Sequence, residues 1–267
     1  MQKIAVAGAA GRMGGRISAL TGEYEGLELA GGFERQGHQD LGSDVGELAG
    51  AGSLGVKLTE GVKSVIDKAD VIIDFTAPEA TIANMEEAAA RGKSMVIGTT
   101  GIDKAGQDKI AVLASKVPCV YAGNMSLGIN LLMKIVGDIA KALGTDYDVE
   151  VIEAHHKMKK DAPSGTAFML AGAAADALGL DLDRDGVFER HGIIGERKKG
   201  EIGVQTIRGG DVVGEHTVMF LGMGERVEVS HRVSNRDTFA RGALKAALWL
   251  KGKGPGLYNM QDVLGLR

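Results

Sequence analysis

The chain is poor in several features that would point to a function by themselves. It has one cysteine, Cys119, in 267 residues, so no intrachain disulfide can form and a disulfide-stapled scaffold is excluded. Cys119 sits in the apolar run VPCVYAG, which reads as a buried strand, so a core thiol is expected rather than a reactive one. Aromatic residues make up 4%, which weakens the case for a base-stacking platform. The net charge of −4 leaves no global basic field to argue for nucleic acid. No apolar run approaches about 18 residues, so no membrane-spanning helix is expected. The start, MQKIAVAGAAG, enters a strand at once, without a basic segment and long apolar core. A cytoplasmic protein is the expectation.

What is present is a globular composition, with 44% hydrophobic and 25% charged residues. Glycine is abundant: 41 residues, roughly twice the ~7% average. It follows no fixed period, so it reads as tight turns and close backbone approach. The first half alternates strand and helix signals. QKIAVAG, LELAGGFE, ADVIIDFT, SMVIGTT and PCVYAG read as strands, with GRMGGRISALTG, PEATIANMEEAAARG and DKAGQDKIAVLASK as helices between them. Pro78 near the start of the second helix and Gly92 after its end are positional signals of the same kind. This rhythm predicts an α/β fold with a doubly wound, Rossmann-like parallel sheet. After Ser126 the texture changes. SLGINLLMKIVGDIAKALG is one amphipathic helix, and YDVEVIEAHH, EIGVQTIRGG, EHTVMFLG and ERVEVSHRV are strands. Gly222-Met223-Gly224 reads as a hairpin turn. A second, α+β domain with a mixed sheet is expected over 127–235. The helix RDTFARGALKAALWLKG is placed back on the first domain, which then comprises 1–126 plus 236–267.

Four motifs carry chemistry. GAAGRMGG, residues 8 to 15, follows a strand and opens a helix, the context a dinucleotide fingerprint requires. Gly8 allows the turn, Gly11 the approach of a pyrophosphate, and Gly14 close helix–strand packing. Glu34 lies 20 residues beyond Gly14, where an acidic residue can bind a ribose 2′-hydroxyl. Arg35 beside it, with Arg12, can instead bind a 2′-phosphate, so NADH and NADPH both stay open. DFTAPEAT and GTTG lie at the C-terminal ends of strands, where open α/β sheets bind ligands, and AGNMS is expected to join the same crevice.

The fourth motif is EAHHKMKKDAPSGTA, residues 153 to 167. Its lysines alone would be an ordinary solvated turn. Pro-Ser-Gly-Thr before an apolar helical run, however, reads as a helix N-terminus with exposed N–H groups. Ser164, Gly165 and Thr166 then supply that helix start, with histidines and Lys159 as cationic and protic partners. Together they imply an anionic substrate with more than one charge. His155 and His156 point to opposite sides of a strand and have different jobs. No third ligand stands at close spacing and lysines would oppose a cation, so no metal is expected.

These motifs together resemble the dihydrodipicolinate reductase (4-hydroxy-tetrahydrodipicolinate reductase) family of bacterial and plant lysine synthesis, and the resemblance spans essentially the whole chain. HHxxKxDAPSGT is its most specific element. GERKKGEIGVQTIRGGDVVGEHTVMF and SNRDTFARGALKAALWL extend it through the second half. The resemblance implies a nicotinamide-binding domain from both chain ends and a central substrate-binding domain that also builds a homotetramer. It implies hydride transfer from NADH or NADPH to a cyclic, unsaturated dicarboxylic imine in the diaminopimelate route to lysine. Residue by residue, His155 matches the proposed acid/base, Lys159 the proposed proton donor and His156 a substrate contact. Gly165 and Thr166 match the groups that hold a substrate carboxylate. Gly8, Ala9, Ala10, Gly11, Arg12, Met13, Glu34, Arg35, Gly98, Thr99, Thr100, Ala122, Gly123, Asn124 and Met125 match cofactor contacts. Lys157 and Lys160 match no key position and are expected in solvent. Some members carry arginine after DFT, where this chain has Ala77, which bears on selectivity for the phosphate of NADPH.

The chemistry agrees independently. Hydride addition to a conjugated imine leaves electron density that needs a proton, and histidine and lysine are suitable acids. Two other readings share some of these features. One is another two-domain dehydrogenase acting on an amino or keto diacid. The other is a non-catalytic nucleotide sensor, which would keep GAAGRMGG but has no use for HHxxKxDAPSGT.

Overall fold

The computed structural model describes residues 1–266. In chain order its strands are β1 (Gln2–Ala7), β2 (Leu27–Glu34), β3 (Leu58–Glu60), β4 (Val71–Asp74), β5 (Ser94–Ile97), β6 (Pro118–Tyr121), β7 (Asp148–His155), β8 (Gly186–Val187), β9 (Ile202–Arg208), β10 (Gly214–Leu221), β11 (Arg226–Val233) and β12 (Gly256–Tyr258). The α-helices are α1 (Arg12–Leu20), α2 (Val45–Leu48), α3 (Pro78–Ala90), α4 (Lys104–Ala114), α5 (Leu127–Leu143), α6 (Gly165–Leu178), α7 (Leu182–Asp185), α8 (Asp237–Trp249) and α9 (Met260–Leu264). The chain divides into two compact units, Met1–Leu127 with Asp237–Arg267, and Gly128–Arg236. Among the described residues no helix is long and apolar enough to cross a membrane.

The first unit is built on a parallel sheet in the order β12-β6-β5-β4-β1-β2-β3. Its central strands β1, β4 and β5 are buried on both faces, as parallel sheets require. Along β1, Ile4 and Val6 join one core with α1 and α8, while Ala5 and Ala7 join the other. Cys119 belongs to the second core, and burial pushes its thiol pKa up to about 12. It is therefore a small apolar filler. Helix limits follow local signals: Pro78 opens α3, Asp103 accepts the Gly106 N–H to cap α4, and Gly92 leaves α3 at φ +65°. Helix α8 returns to this unit through Ala240, Ala243, Leu244 and Ala247, packed with Ile17 and Leu20 of α1. Asp237 at its first turn takes a two-pronged bond from Arg16, at 2.8 and 2.7 Å. The short β3 and β12 carry too few residues for a period to show, which is why the pattern reading does not contain them.

The second unit has a mixed sheet in the order β11-β10-β7-β9-β8. Strands β7, β9 and β8 are parallel, while β10 runs antiparallel to both β7 and β11. Val149, Val151, Val204, Val218 and Phe220 on one face pack against Val136 and Ala140 of α5 and Leu170, Ala171 and Ala174 of α6. The expected hairpin closes β10 onto β11, with the Gly222 N–H donating to the Glu225 carbonyl at 2.9 Å. On the opposite face, Glu150 takes two bonds from Arg190 at 2.8 Å and one from Arg197 at 3.2 Å.

Gly242 marks the tightest packing of α8. A Cβ there would lie 1.8 Å from the Met125 carbonyl oxygen. Gly242→Ala is therefore expected to lower the unfolding free energy by about 1–3 kcal/mol, measured as a reduced urea midpoint at unchanged slope.

Candidate active site

In the first unit, β1 ends at Ala7 and the chain turns at Gly8 with φ +62°, a conformation costly for any residue with a Cβ. A Cβ on Gly14 would stand 2.1 Å from the Gly8 carbonyl oxygen, so α1 can close onto β1 only with glycine there. Gly11 is the N-cap of α1 and offers no side-chain cap. The helix start therefore presents N–H groups and the positive dipole end that favour an anion. Strands β1 and β4 are neighbours, with Ala7 opposite Asp74, and the sheet grows outward from them in both directions. That is the topological switch point, where ligands bind in open α/β sheets.

A cleft of about 530 Å³ opens there. Gly8, Gly11, Arg12, Met13, Glu34 and Arg35 line it, together with Phe75, Thr76, Ala77 and Asn84. Arg12 and Arg35 are exposed, and no carboxylate among the described residues pairs with either. The glycine cradle, the uncapped helix start and the neighbouring Glu34, Arg12 and Arg35 suit a dinucleotide.

The other residues expected to touch a cofactor are placed differently. Ala9 is part of the core and Ala10 packs against it. Gly98 faces the Phe75 ring, where a Cβ would fall 2.2 Å from the ring atoms. Thr99 is buried and shares a 2.7 Å hydrogen bond with Thr81, while Thr100 is exposed. Ala122 is half-buried, Gly123 exposed, and Asn124 and Met125 buried, with Asn124 Oδ1 accepting from the Ser126 N–H at 2.8 Å. None of these lines the cleft. Beneath it lies a group that sequence reasoning did not assemble. The buried Asp74 carboxylate accepts from the Thr76 N–H (2.9 Å) and hydroxyl (2.6 Å), the Thr81 hydroxyl (3.0 Å) and the Asn84 amide (2.8 Å). The DFT signal was visible; its link to Thr81 and Asn84 depends on α3 folding back over β4.

In the second unit the end of β7 carries the histidines. Glu153 and His155 share the inward face, two residues apart. His155 Nδ1 is 2.6 Å from Glu153 Oε2. Glu153 has no solvent exposure. It accepts a two-pronged bond from Arg208 (2.7 and 2.8 Å), the Ser164 N–H (2.9 Å) and the Thr206 hydroxyl (3.1 Å). Arg208 also donates to the Asp161 carbonyl at 2.7 Å. Its place beside His155 comes from the parallel pairing of β7 with β9, which no motif announces.

His155 is mostly buried, and desolvation pushes its pKa below the usual value despite the Glu153 carboxylate. Its Nε2 faces Gly214. Lys159 Nζ is bound to both Asp161 oxygens, at 2.9 and 2.7 Å. His156 lies on the other side of the strand, half-buried, with Nδ1 unpartnered. Lys157 and Lys160 are exposed.

Ser164 is the N-cap of α6, and its hydroxyl accepts the Ala167 N–H at 3.2 Å. The same hydroxyl meets His216 Nε2 at 3.1 Å. Burial drives the His216 pKa down to about 4, so the ring beside the serine is neutral. At 2% exposure, with its N–H on Glu153, Ser164 turns all its hydrogen-bonding groups but its carbonyl inward. Gly165 is exposed at the helix start and Thr166 is half-buried. Glu153, Arg208 and His216 are the residues sequence reasoning did not assign here. Among the described residues no group of three or more metal-ligating side chains is assembled.

Comparisons with known proteins bear on both units. The family model described as the N-terminus of dihydrodipicolinate reductase matches residues 2–125, and that of its C-terminus matches residues 128–264. The chain is 54% identical over 267 residues, the full length of both, to a 4-hydroxy-tetrahydrodipicolinate reductase of Syntrophobacter fumaroxidans. It is 52% identical, again over the full length of both, to the enzyme of that name from Geobacter sulfurreducens. Among solved structures it resembles a dipicolinate-bound dihydrodipicolinate reductase from Paenisporosarcina sp. TG-14, with TM-score 0.78, 25% identity and 98% of each chain covered. An amine dehydrogenase from Mycobacterium smegmatis shares the fold alone, with TM-score 0.62 at 12% identity over 97% of this chain and 95% of that one.

The Glu153 cluster has a measurable acid signature. Burial raises the carboxyl pKa, but the Arg208 fork, His155 and the Ser164 N–H outweigh it and hold the value at about 2, against an ordinary 4.5. A depressed folded-state pKa stabilises the fold above the unfolded value, and that stability is lost as pH falls. Thermal midpoints followed by circular dichroism are expected to drop between pH of about 4.5 and 2. The Glu153→Gln curve should be flatter across that window; parallel curves would mean the carboxylate is not ionised in the fold.

Proposed function

The chain belongs to the dihydrodipicolinate reductase family, and from that premise we propose how its two units divide the reaction. It is a pyridine-nucleotide-dependent 4-hydroxy-tetrahydrodipicolinate reductase, an oxidoreductase of diaminopimelate and lysine synthesis. The first unit, with both chain ends, holds the nucleotide. The pyrophosphate lies over the uncapped start of α1, and Glu34 takes the ribose 2′-hydroxyl of NADH. Arg35 and Arg12 take the 2′-phosphate of NADPH, so both nucleotides are used. The observation that supports this is an acid and two unpaired arginines lining one cleft. Bound there, the reduced nicotinamide supplies the hydride.

The second unit holds the cyclic dicarboxylate. Gly165 and Thr166 at the start of α6 take one carboxylate through N–H groups and a hydroxyl. His156 and Lys159 add positive charge and donors. Ser164 acts one step back, capping α6 and shaping its first turn. Loss of the 4-hydroxyl group as water gives a conjugated imine, and hydride addition to its carbon–carbon double bond is completed by one proton. Lys159 Nζ donates it, and Asp161 keeps that ammonium aimed beside the histidine. His155 is neutral at rest and takes up or returns a proton at Nε2. The single observation that carries this reading is the convergence, in one unit, of an acid/base histidine, a lysine and a helix start at the HHxxKxDAPSGT motif.

The remaining face of the second unit's sheet exposes Ile207 and leaves Met219 and Leu221 half-covered. A homotetramer assembled through that face is the oligomeric state we assign. Sedimentation equilibrium is expected to give four chain masses; a monomer at assay concentration would refute it.

The reaction is tested by mixing the protein with the product of the preceding aldol condensation and following loss of reduced-nicotinamide absorbance. Consumption of both NADH and NADPH is expected, and Arg35→Ala should lower kcat/KM selectively with NADPH. No consumption with either nucleotide would overturn the reading. His155→Gln and Lys159→Ala should each depress turnover about 10²-fold or more with nucleotide affinity retained.

A further inference from the structure

We propose that Glu153, a residue with no assigned role, is the positioning residue for His155. Held by Arg208, Thr206 and the Ser164 N–H, it fixes the imidazole with its proton on Nδ1 and a bare Nε2 toward the substrate. The proposal deepens the acid/base reading of His155 and rests on it.

The geometry argues this in three steps. First, the Glu153 carboxylate has every approach occupied. One oxygen, Oε2, meets His155 Nδ1 at 2.6 Å and Arg208 Nη1 at 2.7 Å. The other, Oε1, takes Arg208 Nη2, the Ser164 N–H and the Thr206 hydroxyl at 2.8, 2.9 and 3.1 Å. A planar guanidinium fork leaves the carboxylate little freedom to rotate. Second, an ionised carboxylate only accepts hydrogen bonds, so the imidazole nitrogen against it must donate. In the neutral ring the other nitrogen is then an acceptor. Third, the far side of the ring is kept clear. A Cβ at Gly214 would come within 3.1 Å of His155 Nε2, so glycine there leaves space in front of that nitrogen. The T-shaped contact with His216, ring centroids 5.2 Å apart, supports the ring from its side.

The same carboxylate binds the backbone at Ser164, the residue that starts α6. One buried anion therefore fixes the position of the acid/base group relative to the helix start that receives the substrate carboxylate. A purely structural ion pair would need no contact with either.

The charged and titratable groups around His155 are Glu153 on β7, Lys159 and Asp161 on the following loop, Arg208 on β9 and His216 on β10. Of these, Glu153 raises its pKa, while Lys159 and Arg208 lower it. Removing the Glu153 charge therefore lowers it further.

The primary test is long-range nitrogen–proton NMR of the intact wild-type protein with labelled histidine at neutral pH. His155 is expected to show a protonated Nδ1 and a bare Nε2. The opposite tautomer, or an even mixture, would overturn the proposal, and this measurement does not depend on any variant folding. In Glu153→Gln, turnover is expected to fall about 10²-fold, with nucleotide affinity intact. The limb of the kcat/KM profile that reports His155 should move to lower pH, and the Nδ1–H tautomer should lose its dominance. Arg208→Lys keeps the charge but not the fork, and should show the same changes to a smaller extent. A folded Glu153→Gln with unchanged tautomer and pH profile would overturn the proposal. Full activity in His155→Gln would instead refute the acid/base reading while leaving the tautomer result standing.

Discussion

A carboxylate removed from water is tolerated only when its charge is answered at short range, and Glu153 is the point in the second unit where that demand organises everything nearby. Its partners come from β9 (Thr206, Arg208), from the first residue before α6 (Ser164) and from its own strand (His155). No one of these segments could satisfy the anion alone. The requirement that all be present at once brings a sheet edge, a loop and a helix start into one register. Three residues earlier, Glu150 makes the same demand on the opposite face of β7 and recruits Arg190 and Arg197. The central strand thus carries a paired anion on each side. The one facing the helices bonds His155 and the Ser164 N–H, and the other ties the segment between β8 and β9 to the sheet.

The first unit handles its buried anion without a cation. Asp74 at the end of β4 is held by hydroxyl, amide and backbone N–H donors alone. Neutral donors satisfy the carboxylate, so among the described residues no cation partners Asp74 beneath the cleft. The ends of β4, β5 and α3 are thereby locked together around Thr76, Thr81, Thr99 and Asn84, of which Thr76 and Asn84 line the cleft. Both units share one feature: a buried carboxylate with several hydrogen-bond donors stands beside the residues of the candidate site.

Glycine acts by subtraction. Gly14 lets α1 rest on the Gly8 carbonyl, Gly98 admits the Phe75 ring, and Gly214 leaves room before His155 Nε2. The abundance of glycine noted in the composition is, at these places, room for backbone or side chains that a Cβ would occupy.

Much of this was legible in the chain as written. Two periodicities separated the parallel sheet from the mixed one, because a strand covered on both faces must be apolar throughout and one covered on a single face must alternate. The glycine loop after β1, Glu34 with Arg35, and HHKMKKDAPSGT lie close together along the chain. Their chemistry is local, so spacing alone announced them and the family they resemble. What the sequence could not contain is the pairing of distant segments. Arg208 stands 53 residues beyond His155, and nothing in TIRGG says that β9 lies parallel to β7 with those two residues opposite one another. The inward turn of Ser164, the tautomer-setting contact of Glu153 and the clustering of Thr81 and Asn84 on Asp74 are likewise decided only when strands find their neighbours. Hydrogen bonds act over about 3 Å, and only tertiary structure brings such groups that close.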